Sequence, residues 1–115
     1  MKKLKWVVMS LVMSILACTK SVLDPVDTPA ACDSVAKSFS ANVSPLIQSS
    51  CTSSECHGSG SINGPGALLN YTNIFAARVA IRSAISAGSM PKNSSFSSAQ
   101  KNTIICWIDS GAPNN

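Results

Sequence analysis

The scarcity of core-forming side chains is the feature that most restricts what this chain can fold into. Residues 32–115 contain five aromatic side chains: Phe39, Tyr71, Phe75, Phe96 and Trp107. Small domains bury little of their surface and commonly need a disulfide, a metal or a cofactor to complete the interior. A large apolar cofactor would supply much of the missing interior.

The first 17 residues are predicted to be a signal peptide of the lipoprotein type. MKKLKWVVMSLVMSILAC has a lysine-rich start and an apolar run that ends at Ala17. This is the layout of a secretory signal, and the run is too short for a comfortable transmembrane helix. The final ILAC resembles a bacterial lipoprotein box, in which Cys18 is lipidated; a plain cleaved signal and an uncleaved anchor are the alternatives. Residues 18–31 are predicted to be a flexible tether, and residues 32–115 the folded domain.

Removal of a signal peptide changes what the charge and the cysteines imply. Three lysines lie in the first five residues, so six basic and five acidic side chains remain, a net charge of +1. This charge gives no support to a nucleic-acid-binding surface. Outside the cytoplasm, thiols tend to end up in disulfides or covalent attachments. Each of the five cysteines therefore needs a role: Cys18, Cys32, Cys51, Cys56 and Cys106.

Three helices and no convincing strand are predicted, so the domain is expected to be all-α. Apolar periodicity and helix-end signals place the helices at residues 43–50, 73–87 and 98–110. Ser44 can cap the first helix, and Pro45 suits its first turn. Gly88 and Gly111 are suited to ending the second and third.

The segment CTSSECHG, residues 51–58, concentrates the chemistry of the chain. Covalent haem attachment needs two cysteine sulfurs, which add to the two vinyl groups, and an imidazole that reaches the iron. Cys51, Cys56 and His57 would supply all three. The common spacing has two residues between the cysteines, whereas here there are four. Such a loop can bulge outward while its ends keep the sulfurs at the vinyl groups.

Two other interpretations of this segment stay open. Cys51 and Cys56 would form a simple disulfide loop with His57 at the surface. Alternatively, the three residues together with Cys32 or Cys106 would give four zinc ligands. Adjacent Cys56 and His57 make awkward tetrahedral ligands, and an oxidising compartment disfavours free thiolates.

Met90 is the only methionine after the predicted signal, and His57 is the only histidine. Met90 lies in a Met-Pro loop 33 residues after His57, with a predicted helix between them. An imidazole and a thioether on separate loops would form a low-spin His/Met pair, which raises the potential of a haem.

From CTSSECHG through Met90-Pro91 to WIDSGAPNN, residues 39–115 resemble the small single-haem cytochrome c domains of exported bacterial proteins, and Bacteroidetes-like lipoproteins in particular. The resemblance implies an all-α, cytochrome c-like helical bundle around covalently bound haem c, with the first and last helices crossing. It implies thioether bonds at Cys51 and Cys56, and iron ligation by His57 and Met90. It also implies that Trp107 packs near the haem. The four-residue gap departs from the common pattern and leaves attachment through one cysteine open.

The same resemblance bears on Cys32 and Cys106. If the first and last helices cross, the segment before the first can reach the last. A Cys32–Cys106 disulfide would then close a loop of roughly 75 residues and stabilise the fold by about 4 kcal/mol in the chain-entropy model.

The resemblance implies electron transfer rather than enzymatic turnover, because both axial positions of the iron would be filled. We expect a monomer, anchored by lipid on Cys18 in the cell envelope and facing the periplasm, that exchanges electrons with redox partner proteins and binds no nucleic acid. Two alternatives are a non-haem, disulfide-stabilised interaction lipoprotein and a haem-based sensor in which a diatomic ligand displaces Met90.

Three further residues are assigned roles from the sequence. Arg78 and Arg82 lie one turn apart and are expected on a solvated face, with contact of one of them to a haem propionate as the alternative. A metal-bound histidine usually donates its second ring N–H to an acceptor, and the Pro65 carbonyl is a candidate for that acceptor.

Overall fold

The computed structural model describes residues 32–115; the predicted signal peptide, the tether and Cys18 lie outside the described residues. Within residues 32–115 the chain is helical with no strand, which confirms the all-α prediction. The helices are α1, Ser44–Cys51; α2, Tyr71–Ser86; and α3, Ser98–Asp109. In this part of the chain, no helix combines the length and the apolar character needed to cross a membrane.

The first helical segment begins earlier than the sequence predicts. A π-helical segment, Phe39–Val43, runs directly into α1. Ser38, rather than Ser44, caps it by accepting a hydrogen bond from a backbone N–H of the first turn. Pro45 lies in the first turn of α1, as expected. Asn115 closes the same end, because its Oδ1 accepts a hydrogen bond of 2.8 Å from the N–H of Phe39.

The other two helices begin and end at residues with clear local roles. The Asn70 side chain caps α2, and Ser97 and Gln100 form a reciprocal capping box at the start of α3. Gly88 and Gly111 follow the ends of α2 and α3 with φ angles of +69° and +96°. Glycine adopts this left-handed backbone without the steric cost that a side chain brings.

An aromatic cluster, defined by Phe39, Tyr71, Phe75 and Trp107, joins the π-helical segment to α2 and α3. The Phe39 ring lies 5.1 Å from that of Tyr71 and 5.4 Å from that of Trp107, measured between centroids. Trp107 is fully buried, and its Nε1 donates a hydrogen bond of 2.9 Å to the Pro113 carbonyl. The polar atom of the indole is therefore satisfied inside the core.

Two side-chain links tie α3 to the rest of the domain. Cys32 and Cys106 form a disulfide, with their Cα atoms 5.3 Å apart. Arg82 on α2 donates two hydrogen bonds, of 2.7 and 2.9 Å, to the carboxylate of Asp109, and this bonding lowers the pKa of that carboxyl. The main helical contacts of α3 are with α2 and with the π-helical segment that leads into α1.

Candidate functional site

A cavity of about 570 Å³ lies beside α1 and α2. The end of α1, the loop that follows it, the second half of α2 and the loop between α2 and α3 form its wall. Its volume falls in the range of about 300–1,000 Å³ that is usual for small-molecule and cofactor pockets. Five buried apolar side chains belong both to this wall and to the hydrophobic core: Ile47, Leu68, Ile81, Ile85 and Phe96.

The structure brings the four residues assigned to haem from the sequence to this one cavity. Cys51 ends α1, Cys56 and His57 lie in the following loop, and Met90 lies in the loop between α2 and α3; all four line the wall. His57 is buried, with 9% of its surface exposed, and Met90 is half-buried. An imidazole and a thioether from distant parts of the sequence therefore line the same cavity.

Hydrogen bonds fix both the ring and the backbone of His57. Its Nδ1 lies 2.9 Å from the Gly66 carbonyl oxygen. Because a carbonyl can only accept, Nδ1 is the donor, and the neutral imidazole then carries its lone pair on Nε2. The His57 N–H donates to the Cys51 carbonyl, and the His57 carbonyl accepts from the Leu68 N–H, both at 2.9 Å. The residue is thus held with Nε2 as the nitrogen available to a metal.

The acceptor for the His57 ring lies one residue beyond the one suggested by the sequence. Pro65 lines the cavity, but the bonded carbonyl belongs to Gly66. A turn closed by a 2.9 Å hydrogen bond from the Gly66 N–H to the Asn63 carbonyl presents it. Gly66 has a φ of +83°, and a Cβ on Gly64 would lie 3.8 Å from the His57 ring. The sequence NGPG signals a tight turn, but not which carbonyl faces the histidine.

The four residues between the two cysteines form a bulge that is hydrogen-bonded to the following loop. The Ser53 carbonyl accepts hydrogen bonds from the N–H groups of Cys56, at 2.9 Å, and Gly58, at 3.1 Å. Gly58 packs so closely on this bulge that an added Cβ would lie 2.9 Å from the carbonyl oxygens of Thr52 and Ser53. The longer spacing therefore forms a hydrogen-bonded bulge, while Cys51, Glu55 and Cys56 line the cavity.

Cys51 and Cys56 are half-buried thiols in the structure. Burial is the main cause that raises the pKa of the Cys51 thiol, and the neighbouring Cys56 raises it further. Cys51 is consequently a neutral thiol at pH 7.

The described geometry bears on the zinc interpretation of the same segment. The zinc interpretation needs Cys32 or Cys106 as a fourth ligand, and these two cysteines are bonded to each other. Among residues 32–115, no group of three or more His, Cys, Asp or Glu side chains is arranged to hold a metal ion. The donor set on the cavity wall instead combines one imidazole with two thiols and one thioether.

Three residues discussed from the sequence lie away from this wall. Trp107 packs in the aromatic cluster, and the aromatic side chain that lines the cavity is Phe96. Arg78 donates a 2.8 Å hydrogen bond to the Phe75 carbonyl and lies 4.0 Å from the centroid of that ring. Arg82 bonds Asp109. Phe96 lies in a polar loop, so the local sequence does not indicate that Phe96, rather than Trp107, lines the cavity.

The residues present fit a covalently attached haem. The wall is mainly apolar, Nε2 of His57 is available, two thiols lie in the same wall, and Met90 adds a thioether sulfur. Comparison with protein-family models, with curated proteins and with solved structures found no match to this chain. Its function is therefore inferred from the residues of the cavity.

Proposed function

We propose that this chain is a single-haem c-type cytochrome that transfers electrons in the cell envelope. The observation that carries the proposal is the presence of His57, Met90 and the two unpaired thiols on the wall of one cavity. An iron porphyrin is the cofactor that uses these three kinds of donor together, since its vinyl groups react with thiols and its iron binds imidazole and thioether.

Cys51 and Cys56 would hold the cofactor covalently. Each thiol would add across one vinyl group, so that a carbon–sulfur bond forms and the thiol hydrogen goes to the other vinyl carbon. The bulge between the cysteines is compatible with two such bonds. The N–H groups of Cys56 and Gly58 bond the Ser53 carbonyl within the bulge, and both cysteines still line the wall. Attachment through one cysteine remains the alternative.

His57 and Met90 would be the two axial ligands. The Gly66 carbonyl accepts a hydrogen bond from Nδ1–H of His57, which orients the ring and makes Nε2 more electron-donating. The thioether of Met90 would favour the reduced state and raise the potential. The bound haem would supply an iron atom that accepts and releases one electron. With both ligand positions filled by the protein, we expect no substrate turnover and no enzymatic activity.

The apolar wall would contribute to the same function. Ile47, Leu68 and Phe96 are nearly fully buried and would keep water away from the iron. Low local polarity disfavours the additional positive charge of the oxidised state, so burial also tends to raise a haem potential.

The proposed cellular location rests on residues outside the described part of the chain. The lipoprotein-type signal and Cys18 support a lipid anchor, with the domain facing the periplasm. We propose a monomer with redox proteins as its partners and no nucleic-acid partner, because the mature chain is nearly neutral.

Covalent haem staining tests the proposal directly. The protein is produced with a cytochrome c maturation system, denatured, separated on a gel and stained for haem. A stained band is expected for the natural chain, and an unstained band for the Cys51→Ala/Cys56→Ala variant. The two single variants then tell whether one or two thioether bonds form, through the absorption maximum of the alkaline pyridine complex. An unstained natural chain, from cells whose control cytochrome stains, would sink the haem proposal and favour a non-haem interaction lipoprotein.

One observation keeps the sensor alternative in view. Met90 lies in a loop and is half-buried, so a diatomic ligand would reach its position from solvent if the thioether were displaced. Carbon monoxide binding to the reduced protein at neutral pH would favour a sensor, whereas an unchanged spectrum would favour electron transfer.

A further inference from the structure

We infer that Lys92 pairs with the carboxylates of the cofactor and sets the orientation of its polar edge. This inference rests on the proposed haem function and adds a binding residue to it. Lys92 lines the cavity and is exposed to solvent, so it lies where the cavity meets the surface.

The wall of the cavity carries one carboxylic acid and one lysine side chain, which have opposite formal charges. They are Glu55 and Lys92. Glu55 is adjacent to Cys56, on the side where the vinyl groups would be bonded. Lys92 follows Met90 and the buried Pro91, on a different loop. A carboxylate entering this cavity is therefore attracted to the Lys92 side and repelled from the Glu55 side.

Haem has a polar edge that the rest of this wall cannot satisfy. Its two propionates are negatively charged and lie on the opposite edge of the macrocycle from the two vinyl groups that thioethers would occupy. Burying a carboxylate without a partner is costly, and the wall of the cavity is mainly apolar. Fixing the vinyl edge at Cys51 and Cys56 would direct the propionates away from these residues toward an exposed part of the wall, where Lys92 is the available cation.

The other basic side chains of residues 32–115 lie away from the cavity wall. Arg78 stacks on Phe75, and Arg82 bonds Asp109. Lys37 donates a 2.8 Å hydrogen bond to the Cys32 carbonyl, and Lys101 lies on α3. The propionate partner considered from the sequence, one of the two arginines, is thus replaced by a lysine of the loop after Met90.

Three variants test the inference in the haem-loaded protein. Lys92→Gln removes the charge, Lys92→Arg keeps it, and Lys101→Gln removes one cation from a surface outside the cavity. The measurements are the reduction potential at low and high ionic strength, and the carboxylate stretch of the propionates in redox-difference infrared spectra. Haem staining of each variant is measured first.

The expected result distinguishes a direct pair between Lys92 and the propionates from a general effect of surface charge on the reduction potential. Lys92→Gln should lower the reduction potential, because a positive charge near the iron disfavours the oxidised state, and should shift the propionate band. The fall in potential should shrink at high ionic strength. Lys92→Arg and Lys101→Gln should match the natural protein in both measurements.

Two outcomes would overturn the inference in distinguishable ways. If all forms stain for haem but Lys92→Gln has the potential and propionate band of the natural protein, Lys92 is not the partner and the haem proposal stands. If the natural chain does not stain, the haem proposal and the inference fail together.

Discussion

At the scale of single residues, the hydrogen bond between His57 and Gly66 decides which ring nitrogen can act. The Nδ1–H group donates a hydrogen bond of 2.9 Å to the Gly66 carbonyl, so the lone pair lies on Nε2. The backbone bonds of His57 to Cys51 and Leu68 fix the position from which the ring extends. A surface histidine beside a disulfide loop would require neither this burial nor these bonds.

Met90 is assigned as the second axial ligand, and its truncation gives a spectroscopic prediction. Met90→Ala should abolish the far-red sulfur-to-iron band of the ferric protein and lower its reduction potential, because the thioether ligand is lost. Absorption spectroscopy of the haem-loaded protein measures the band. Lys101→Gln, outside the cavity wall, is the control and should retain both the band and the potential. Persistence of the band in Met90→Ala would show that another side chain is the ligand.

The raised pKa of Cys51 gives a prediction for the protein without haem. Alkylation needs the thiolate. Because the pKa of Cys51 is raised, the pH at which its alkylation rate is half-maximal should lie above the value of about 8.5 that is usual for free cysteine. In the Cys56→Ser variant part of the shift should disappear, because the smaller of its two causes is removed. Unfolding in urea should remove the remainder. Rates measured by mass spectrometry across pH would contradict this assignment if folded and unfolded Cys51 had the same midpoint.

At the scale of elements, the loop between α1 and α2 does most to shape the site. It contains the bulge between the cysteines, the histidine and the turn that presents the Gly66 carbonyl. The Asn63 side chain ties the turn to the bulge by donating hydrogen bonds of 3.0 and 3.2 Å to the carbonyls of Glu55 and Cys56. The loop is therefore an ordered structure that holds its own geometry.

Two glycines of this loop form a matched pair for mutation. Gly60 and Gly66 have φ angles of +76° and +83°; an added Cβ meets nothing within 4 Å at Gly60, but lies 3.4 Å from the Ser61 carbonyl oxygen at Gly66. Each Gly→Ala change should lower the free energy of unfolding by about 1–2 kcal/mol because of the left-handed backbone. Only Gly66→Ala should also disturb the bond to His57 and raise the reduction potential, because the imidazole then donates less to the iron. Denaturant unfolding and redox titration measure the two effects. Equal potentials in both variants would show that the carbonyl does not tune His57.

At the scale of the whole molecule, the domain has two parts that share a thin core. The aromatic cluster joins the π-helical segment, α2 and α3, while the cavity lies between α1, α2 and the loop before α3. Ile47, Ile81 and Ile85 connect the two parts, since they are buried in the core and also line the cavity. Much of this core is therefore also the wall of a pocket, and the proposed haem would complete it.

The disulfide should stabilise the whole molecule rather than the site. Cys32 and Cys106 are separated by 74 positions, and the Cys32→Ser/Cys106→Ser variant should lose about 2–5 kcal/mol of unfolding free energy. Denaturant unfolding measures the loss. Reduction of the natural protein should lower its stability to the same extent, because thioether bonds are not reduced. Haem staining should persist in the variant, and an unchanged unfolding midpoint would contradict a stabilising role.

The sequence by itself determined the helical class and the chemistry available to the site. Periodicity and end signals located α1, α2 and α3 to within a few residues, because capping groups and glycines act locally. The single histidine beside Cys56 and the single methionine after the predicted signal peptide supplied the candidate donors. Local signals did not reveal the π-helical segment, because its end is closed by Asn115 from the opposite end of the domain.

Tertiary structure decided which of these groups meet. The folding of the loop between α1 and α2 selected the Gly66 carbonyl for His57, and helix packing placed Phe96 on the cavity and Trp107 in the aromatic cluster. Contacts of this kind depend on the paths of segments far apart in the chain, which no local residue pattern specifies. For the same reason, the position of Lys92 at the opening, rather than its presence in the sequence, is what makes it a candidate partner for the cofactor.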